Sequence, residues 1–129
     1  MAKPAKRRPT DAELAILRVL WDRGPSTVRE VHERLSKSRS TGYTTTLKLL
    51  QIMTHKGLVR RDESRRSHVY HPSRTEEQTQ RQLVGDLLDR AFGGSARKLV
   101  MQALSAKKVS AKELDQIRRI LDELEGGAR

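Results

Sequence analysis

The sequence predicts a mostly α-helical protein in which three short helices and a β-hairpin are followed by a second, wholly helical segment. Three observations carry that expectation. Apolar residues recur every three or four positions in six stretches, each separated from the next by Gly, Pro or hydroxyl-rich breaks. Only residues 58–71 have the length and alternation of paired strands. The charge is also lopsided. Of 27 Lys and Arg and 16 Asp and Glu in 129 residues, the first 72 residues hold 16 basic and 7 acidic side chains, a net of +9. Residues 73–129 are close to balanced, with 11 and 9.

Taken in order, residues 1–9 read as a disordered basic arm carrying Lys3, Lys6, Arg7 and Arg8. Thr10 to Glu13 form a capping box, in which a hydroxyl N-cap and a glutamate three residues on satisfy each other's backbone N–H groups. The helix that follows places Leu14, Leu17 and Trp21 on one stripe with Ile16 and Leu20 beside it, and Gly24-Pro25 stops it. Trp21 reads as a core anchor. A shorter helix from about Thr27 to Ser36 has a narrow stripe of Val28, Val31 and Leu35, with Arg29, Glu30, His32, Glu33 and Arg34 facing elsewhere. The polar loop of residues 37–41 leads to a third helix from Tyr43 to Lys56, ended by Gly57, which suits a left-handed helix terminus.

That third helix has two faces. Thr46, Leu49, Leu50 and Met53 lie on one, continued by Leu58 after the turn. Thr44, Thr45, Lys48, Gln51 and His55 lie on the other. The second face is polar, hydrogen-bond capable and free of carboxylates, which is what a helix lying in a DNA major groove requires. A solvated amphipathic helix would look similar in isolation, so the flanking elements matter. Two short helices before it make a helix-turn-helix arrangement. After it, residues 58–62 and 67–71 pair as strands around the charged turn Glu63-Ser64-Arg65-Arg66, a hairpin in the position of a wing. Arg65 and Arg66 at its tip would reach the DNA backbone or an adjacent minor groove, and Arg39 and Arg60 would fix position on the backbone.

From residue 73 the character changes. A helix over residues 75–92 carries Leu83, Val84, Leu87, Leu88, Ala91 and Phe92. Gly93-Gly94 breaks it, and Ser95 caps a helix with Leu99, Val100, Ala103 and Leu104. Ser110 to Glu113 form another capping box, opening a helix with Leu114, Ile117, Ile120, Leu121 and Leu124. A segment this small buries such wide stripes poorly alone, so residues 73–125 are expected to pair with a second copy. Leu83, Leu87, Leu88, Phe92, Leu99, Val100, Leu104, Ile117 and Leu121 are the candidate dimerisation residues. A monomeric helical cap is the alternative, and residues 126–129 read as a flexible tail.

Several classes of function are disfavoured. There is no cysteine, so disulfides and thiolate metal sites are excluded. No apolar run approaches a membrane span and no signal segment follows the basic start, so a cytoplasmic protein without membrane insertion is expected. No Gly-rich phosphate loop, serine elbow or HExxH pattern is present, and His68 and His71 lack the company a metal needs. No cofactor, metal or catalytic activity is therefore expected. With four aromatic residues (Trp21, Tyr43, Tyr70 and Phe92), the chain is poorly equipped to stack single-stranded bases.

The stretches TDAELAILRVLWDRGPSTVREV, GYTTTLKLLQIMTHKGLVRR, HVYHP, FGGSARKLVMQAL and SAKELDQIRRILDELE together resemble the penicillinase-repressor family of winged-helix regulators. The resemblance runs from about Thr10 to Glu125. Its most specific parts are the Trp-ending first helix, the Tyr-Thr-Thr opening of the third and the Phe-Gly-Gly-Ser break. It implies an N-terminal winged-helix domain over residues 10–72, a C-terminal dimerisation domain, and repression from palindromic double-stranded operators. It also implies release by a membrane-bound sensor protease pathway that triggers cleavage in the C-terminal domain. The family's Asn-Phe cut site corresponds here to Gln102-Ala103, a departure that argues against cleavage at that bond. A copper-sensing branch uses C-terminal cysteines, which this chain lacks. Ile52 stands where many members carry arginine.

The expected protein is thus a homodimeric repressor whose DNA-binding residues are Arg39, Tyr43, Thr44, Thr45, Lys48, Gln51, His55, Arg60, Arg65 and Arg66. A non-specific nucleoid or RNA-binding protein is the main alternative, and a protein–protein adaptor is a weaker one.

Overall fold

The computed structural model describes residues 8–127. Most of the basic arm of residues 1–9, including Lys3, Lys6 and Arg7, lies outside them. The first helix, α1, spans Asp11–Arg23. Its capping box forms as the sequence predicts: the Glu13 N–H donates to Thr10 Oγ1 at 3.2 Å, and the Thr10 N–H to Glu13 Oε1 at 2.9 Å. Gly24, at φ +99°, ends the helix with its N–H on the Leu20 carbonyl. A two-residue strand, β1 (Ser26–Thr27), leads directly into α2 (Val28–Leu35). Thr27 and Glu30 form a second capping box there, and Arg23 braces Glu30 at 2.7 Å. The Thr27 N–H holds the Glu30 carboxyl below the usual carboxylate range, and Arg23 adds to that pull.

Helix α3 runs Tyr43–Lys56. Gly57 takes φ +81°, and the Leu58 N–H reaches back to the Met53 carbonyl at 2.9 Å while the Gly57 N–H reaches Thr54 at 3.1 Å. This pair of bonds satisfies carbonyls that a helix end otherwise leaves bare, and only a residue free of a Cβ adopts the needed backbone without strain. Strands β2 (Val59–Asp62) and β3 (Val69–Pro72) form the hairpin, with Arg61 opposite Tyr70 and Asp62 opposite Val69. Strand β1 pairs with the other edge of β3, giving the antiparallel order β1-β3-β2. That third strand is absent from the sequence reading, which placed Thr27 at a helix start and assigned no element to Ser26. Two residues are too few for a periodic signal.

The core sits between the three helices and this sheet. Ile16, Leu17 and Leu20 of α1, Val31 and Leu35 of α2, Leu50 and Met53 of α3, Val59 and Tyr70 are buried together. Each such aliphatic side chain contributes roughly 1.5–3 kcal/mol by leaving water. Trp21 is half-buried against this cluster, and its indole N–H donates to the Arg74 carbonyl at 3.0 Å. Buried among the apolar residues is Glu13, 2% exposed, whose carboxylate takes the Lys56 ammonium at 2.9 and 3.0 Å. The glutamate of the box thus also ties the start of α1 to the last residue of α3.

Helices α4 (Glu76–Ala91), α5 (Ala96–Ala106) and α6 (Ala111–Gly127) complete the chain. Thr75 and Gln78 exchange hydrogen bonds at the start of α4, Ser95 caps α5, and Ser110 Oγ accepts from the Glu113 N–H at 3.1 Å. Contacts divide the chain between Val84 and Gly85, within α4, rather than at residue 73. The reason lies in Thr79, which is buried, and in the Trp21–Arg74 bond: both draw residues 73–84 into the first unit. Gly126 and Gly127 continue α6 rather than forming a tail, while residues 128–129 lie outside the described residues. In the second unit, from Gly85 on, no described side chain is buried. Among the described residues no helix is long and apolar enough to cross a membrane.

Burial alone pushes the Glu13 carboxyl up, but the Lys56 ammonium and the Thr10 N–H outweigh it and leave the group below its ordinary value. A carboxyl depressed in the folded state adds stability above its unfolded pKa and loses it as pH falls through the folded value. Lys56→Ala should therefore cost about 1–3 kcal/mol at neutral pH, the penalty for stranding a buried acceptor. Urea titrations at pH 7 and pH 3 check this: the gap between wild type and variant should narrow at the lower pH. A gap independent of pH would count against the ion pair.

Candidate nucleic-acid interface

Helix α3 shows its two faces as the spacing predicts. Thr46, Leu50 and Met53 are buried, whereas Tyr43, Thr44, Thr45, Lys48, Gln51 and His55 are exposed. Thr46 directs its hydroxyl back to the Gly42 carbonyl at 3.1 Å, so this buried polar group is satisfied inside its own helix. The outer face contains no Asp or Glu. It does contain Ile52, 41% exposed, one helical turn on from Lys48. The apolar side chain there offers a base-edge methyl contact but no charge to a phosphate. Tyr43, in the first turn, meets the His32 ring edge-on, with centroids 5.8 Å apart and planes at 78°. This packing fixes the start of α3 against α2, and it was not legible from spacing because the two rings belong to different helices.

Two groups stand out among the cations of the first unit. Arg23 holds Glu30, Arg34 holds Asp22, Lys56 holds Glu13, and Arg61 holds Glu63 at 2.6 Å. These four are committed to the fold. Lys48, Arg39 in the loop before α3, Arg60 on β2 and Arg66 on the wing tip are exposed and form no ion pair among the described residues. Arg65, also exposed at the tip, feels the charge of Asp62. The Arg60–Arg61 pair shows how the strand makes this division. Arg61 stands opposite Tyr70, whose hydroxyl, with Glu63, holds the guanidinium pKa above its ordinary value. Arg60, one residue earlier, points to the other face. At the turn, the Ser64 N–H donates to Asp62 Oδ1 at 2.9 Å, which lowers the Asp62 carboxyl pKa and shapes the hairpin tip.

All the candidate dimerisation residues but one are in the helices expected; Phe92 lies just past Ala91, the last residue of α4. Leu87, Val100, Leu104 and Leu121 are exposed, while Leu83, Leu88, Phe92, Leu99 and Ile117 are half-buried. Leu83 lies in the first contact unit and the others in the second. Val84, Met101, Ile120 and Leu124 are also exposed, the last at 65%. Gln102 and Ala103 are exposed but sit inside α5.

Three helices, the third with a carboxylate-free exposed face, and a three-stranded sheet ending in a cation-tipped hairpin define a winged helix-turn-helix domain. The sequence matches the penicillinase repressor family over residues 9–123, and the chain belongs to that family of DNA-binding transcriptional repressors. It is 37% identical over 118 residues to the transcriptional regulator BlaI of Mycobacterium tuberculosis, covering 91% of this chain and 85% of that protein. It is 26% identical to the penicillinase repressor of Bacillus licheniformis over 88% of this chain and 89% of that one. Among solved structures, a solution structure of monomeric Bacillus licheniformis BlaI in complex with the blaP half-operator matches with a TM-score of 0.49 and 28% identity. That match covers 55% of this chain and 87% of the other.

The strand alternation makes a sharp expectation. Arg60→Ala should weaken binding to any duplex and flatten its salt dependence, because a phosphate contact is lost. Arg61→Ala should leave both nearly unchanged and instead loosen the hairpin. Filter binding across a salt series separates them, and equal losses would show that the pairing of Arg61 does not remove it from the interface.

Proposed function

We propose that the protein is a homodimeric transcriptional repressor that reads palindromic double-stranded operator DNA through α3 and grips the backbone through the wing. The observation that carries this reading is the exposed, acid-free face of α3, set on a buried face that fixes its aim. Thr44, Thr45 and Lys48 meet base edges or nearby phosphates at the start of the helix, with Tyr43, Gln51 and His55 beside them. Arg39, Arg60, Arg65 and Arg66 fix position on the backbone. A dimer of twofold symmetry implies half-sites one or more turns apart, roughly 10 bp per turn.

The second unit supports the dimer. Its helices carry apolar residues that no described part of the unit buries, and a second copy with the same stripe would cover them. Release of the operator by a sensor protease pathway is compatible with the exposure of Gln102 and Ala103. Because both lie within α5, cleavage between them would require that helix to unwind first. The family is one of repressors, and a catalytic role has no support in the side chains of the site.

Two tests bear on this function. Lys48→Ala should weaken operator binding and alter base preference, while Arg65→Ala should weaken operator and scrambled duplexes alike. Equal loss on both duplexes for Lys48→Ala, measured by gel shift, would remove its base-reading role. If the dimer neutralises on the order of 8 phosphates, the log–log salt slope should be about −7. Leu121→Glu should leave the first unit folded but reduce the sedimenting mass to that of one 14.7 kDa chain, with operator affinity falling accordingly. An unchanged mass would place the dimer contact elsewhere.

A further inference from the structure

Two depressions flank the start of α3, and they share Arg29 of α2 and Tyr43. One, of about 420 Å³, is completed by His32 and Glu33. The other, of about 370 Å³, opens toward the wing and is completed by Thr27, Val28, Leu47, Arg66, Ser67, His68 and Tyr70. Their electrostatics differ. The first contains the Glu33 carboxylate. The second contains none, and is lined by two arginines from chain positions 37 residues apart, with His68 and several hydroxyl-bearing residues. Of the hydroxyls, Thr27 is engaged in the α2 capping box and Tyr70 with Arg61. Those of Tyr43 and Ser67 have no partner among the described residues, and the guanidiniums of Arg29 and Arg66 form no ion pair there.

Two unneutralised cations held around one opening repel each other, and a protein this rich in carboxylate–cation pairs leaves such a pair where an anion arrives from outside. We propose that the cleft between α2, α3 and the wing seats one phosphodiester of the duplex, gripped by Arg29 and Arg66 together. This rests on the duplex-binding reading above and adds to it a residue, Arg29, that lies on the helix before the recognition helix. A guanidinium presents two parallel N–H donors to a phosphate, so two of them can take both non-bridging oxygens. The Tyr43 hydroxyl stands at the same opening as a further donor. The contact would fix the wing and α2 to one strand on the flank of α3, setting how α3 enters the groove, and it carries no sequence information of its own.

The test is a double-mutant cycle on the full-length dimer with a random-sequence duplex of three helical turns, roughly 30 bp. Arg29→Gln and Arg66→Gln should each weaken binding on the order of tenfold. Because they share one phosphate, the double variant should lose clearly less than the product of the two losses, and its log–log salt slope should shrink by about 2 per dimer. Arg29→Lys, which keeps the charge, should retain most of the slope. Wild-type affinity for Arg29→Gln would overturn the proposal, and so would losses that multiply, since separate phosphates would then be involved. A single strand of the same length is the second arm: an equal loss there would make the cleft a general polyanion site and overturn the duplex assignment. Failure of the wild type to bind any duplex would instead sink the repressor reading itself.

Discussion

The ion pair between Glu13 and Lys56 is the constraint on which the interface depends. One carboxylate closes the cap of α1, stays out of water, and anchors the final residue of the recognition helix. A buried charge is tolerated only with close partners, and the Glu13 carboxylate accepts from the Thr10 N–H besides the ammonium. Of these contacts, the one to Lys56 joins α1 to α3. Packing of Leu50 and Met53 on Ile16 and Leu20 supplies the attraction, but apolar contact has little directional preference. The ion pair supplies direction at the helix terminus, and the Tyr43–His32 contact does the same at the other end.

Charge economy follows the same logic across the first unit. Seven carboxylates face 16 cations in residues 1–72, and several of those acids are used to hold Arg23, Arg34, Lys56 and Arg61 in place. What remains uncompensated is concentrated on α3, its preceding loop, α2 and the wing. The positive field is therefore a by-product of where the acids have been spent. Such a field attracts any polyanion and raises the encounter rate.

Much of this was legible in the sequence because it rests on local rules. Thr10 with Glu13, Ser95 and Gly57 announce helix ends through chemistry within a few residues. The alternation of Leu49, Leu50 and Met53 with Lys48, Gln51 and His55 announces a face. What could not be read are the long-range facts. Glu13 looks like a capping residue alone, and nothing near it indicates a partner 43 residues away. The Thr27–Glu30 box follows the same local rule as Thr10–Glu13 and is legible at that spacing, whereas β1 has no meaning until β3 lies beside it. Arg29 reads in the sequence only as a residue facing away from an apolar stripe, and only the return of the wing brings Arg66 to the same depression. Composition changes at residue 73, whereas contacts divide the chain within α4, since the buried Thr79 is held in the first unit.

The indole of Trp21 adds a practical consequence. It is the chain's single tryptophan, half-buried at the end of α1 and bonded through its N–H to the carbonyl of Arg74, just past the wing. Indole emission responds to hydration and to the loss of such a bond, so the intrinsic fluorescence of this protein is an unambiguous optical reporter of one junction. Any event that pulls the chain leaving the wing away from α1 will be seen there without a label, in a signal to which the second unit contributes no tryptophan.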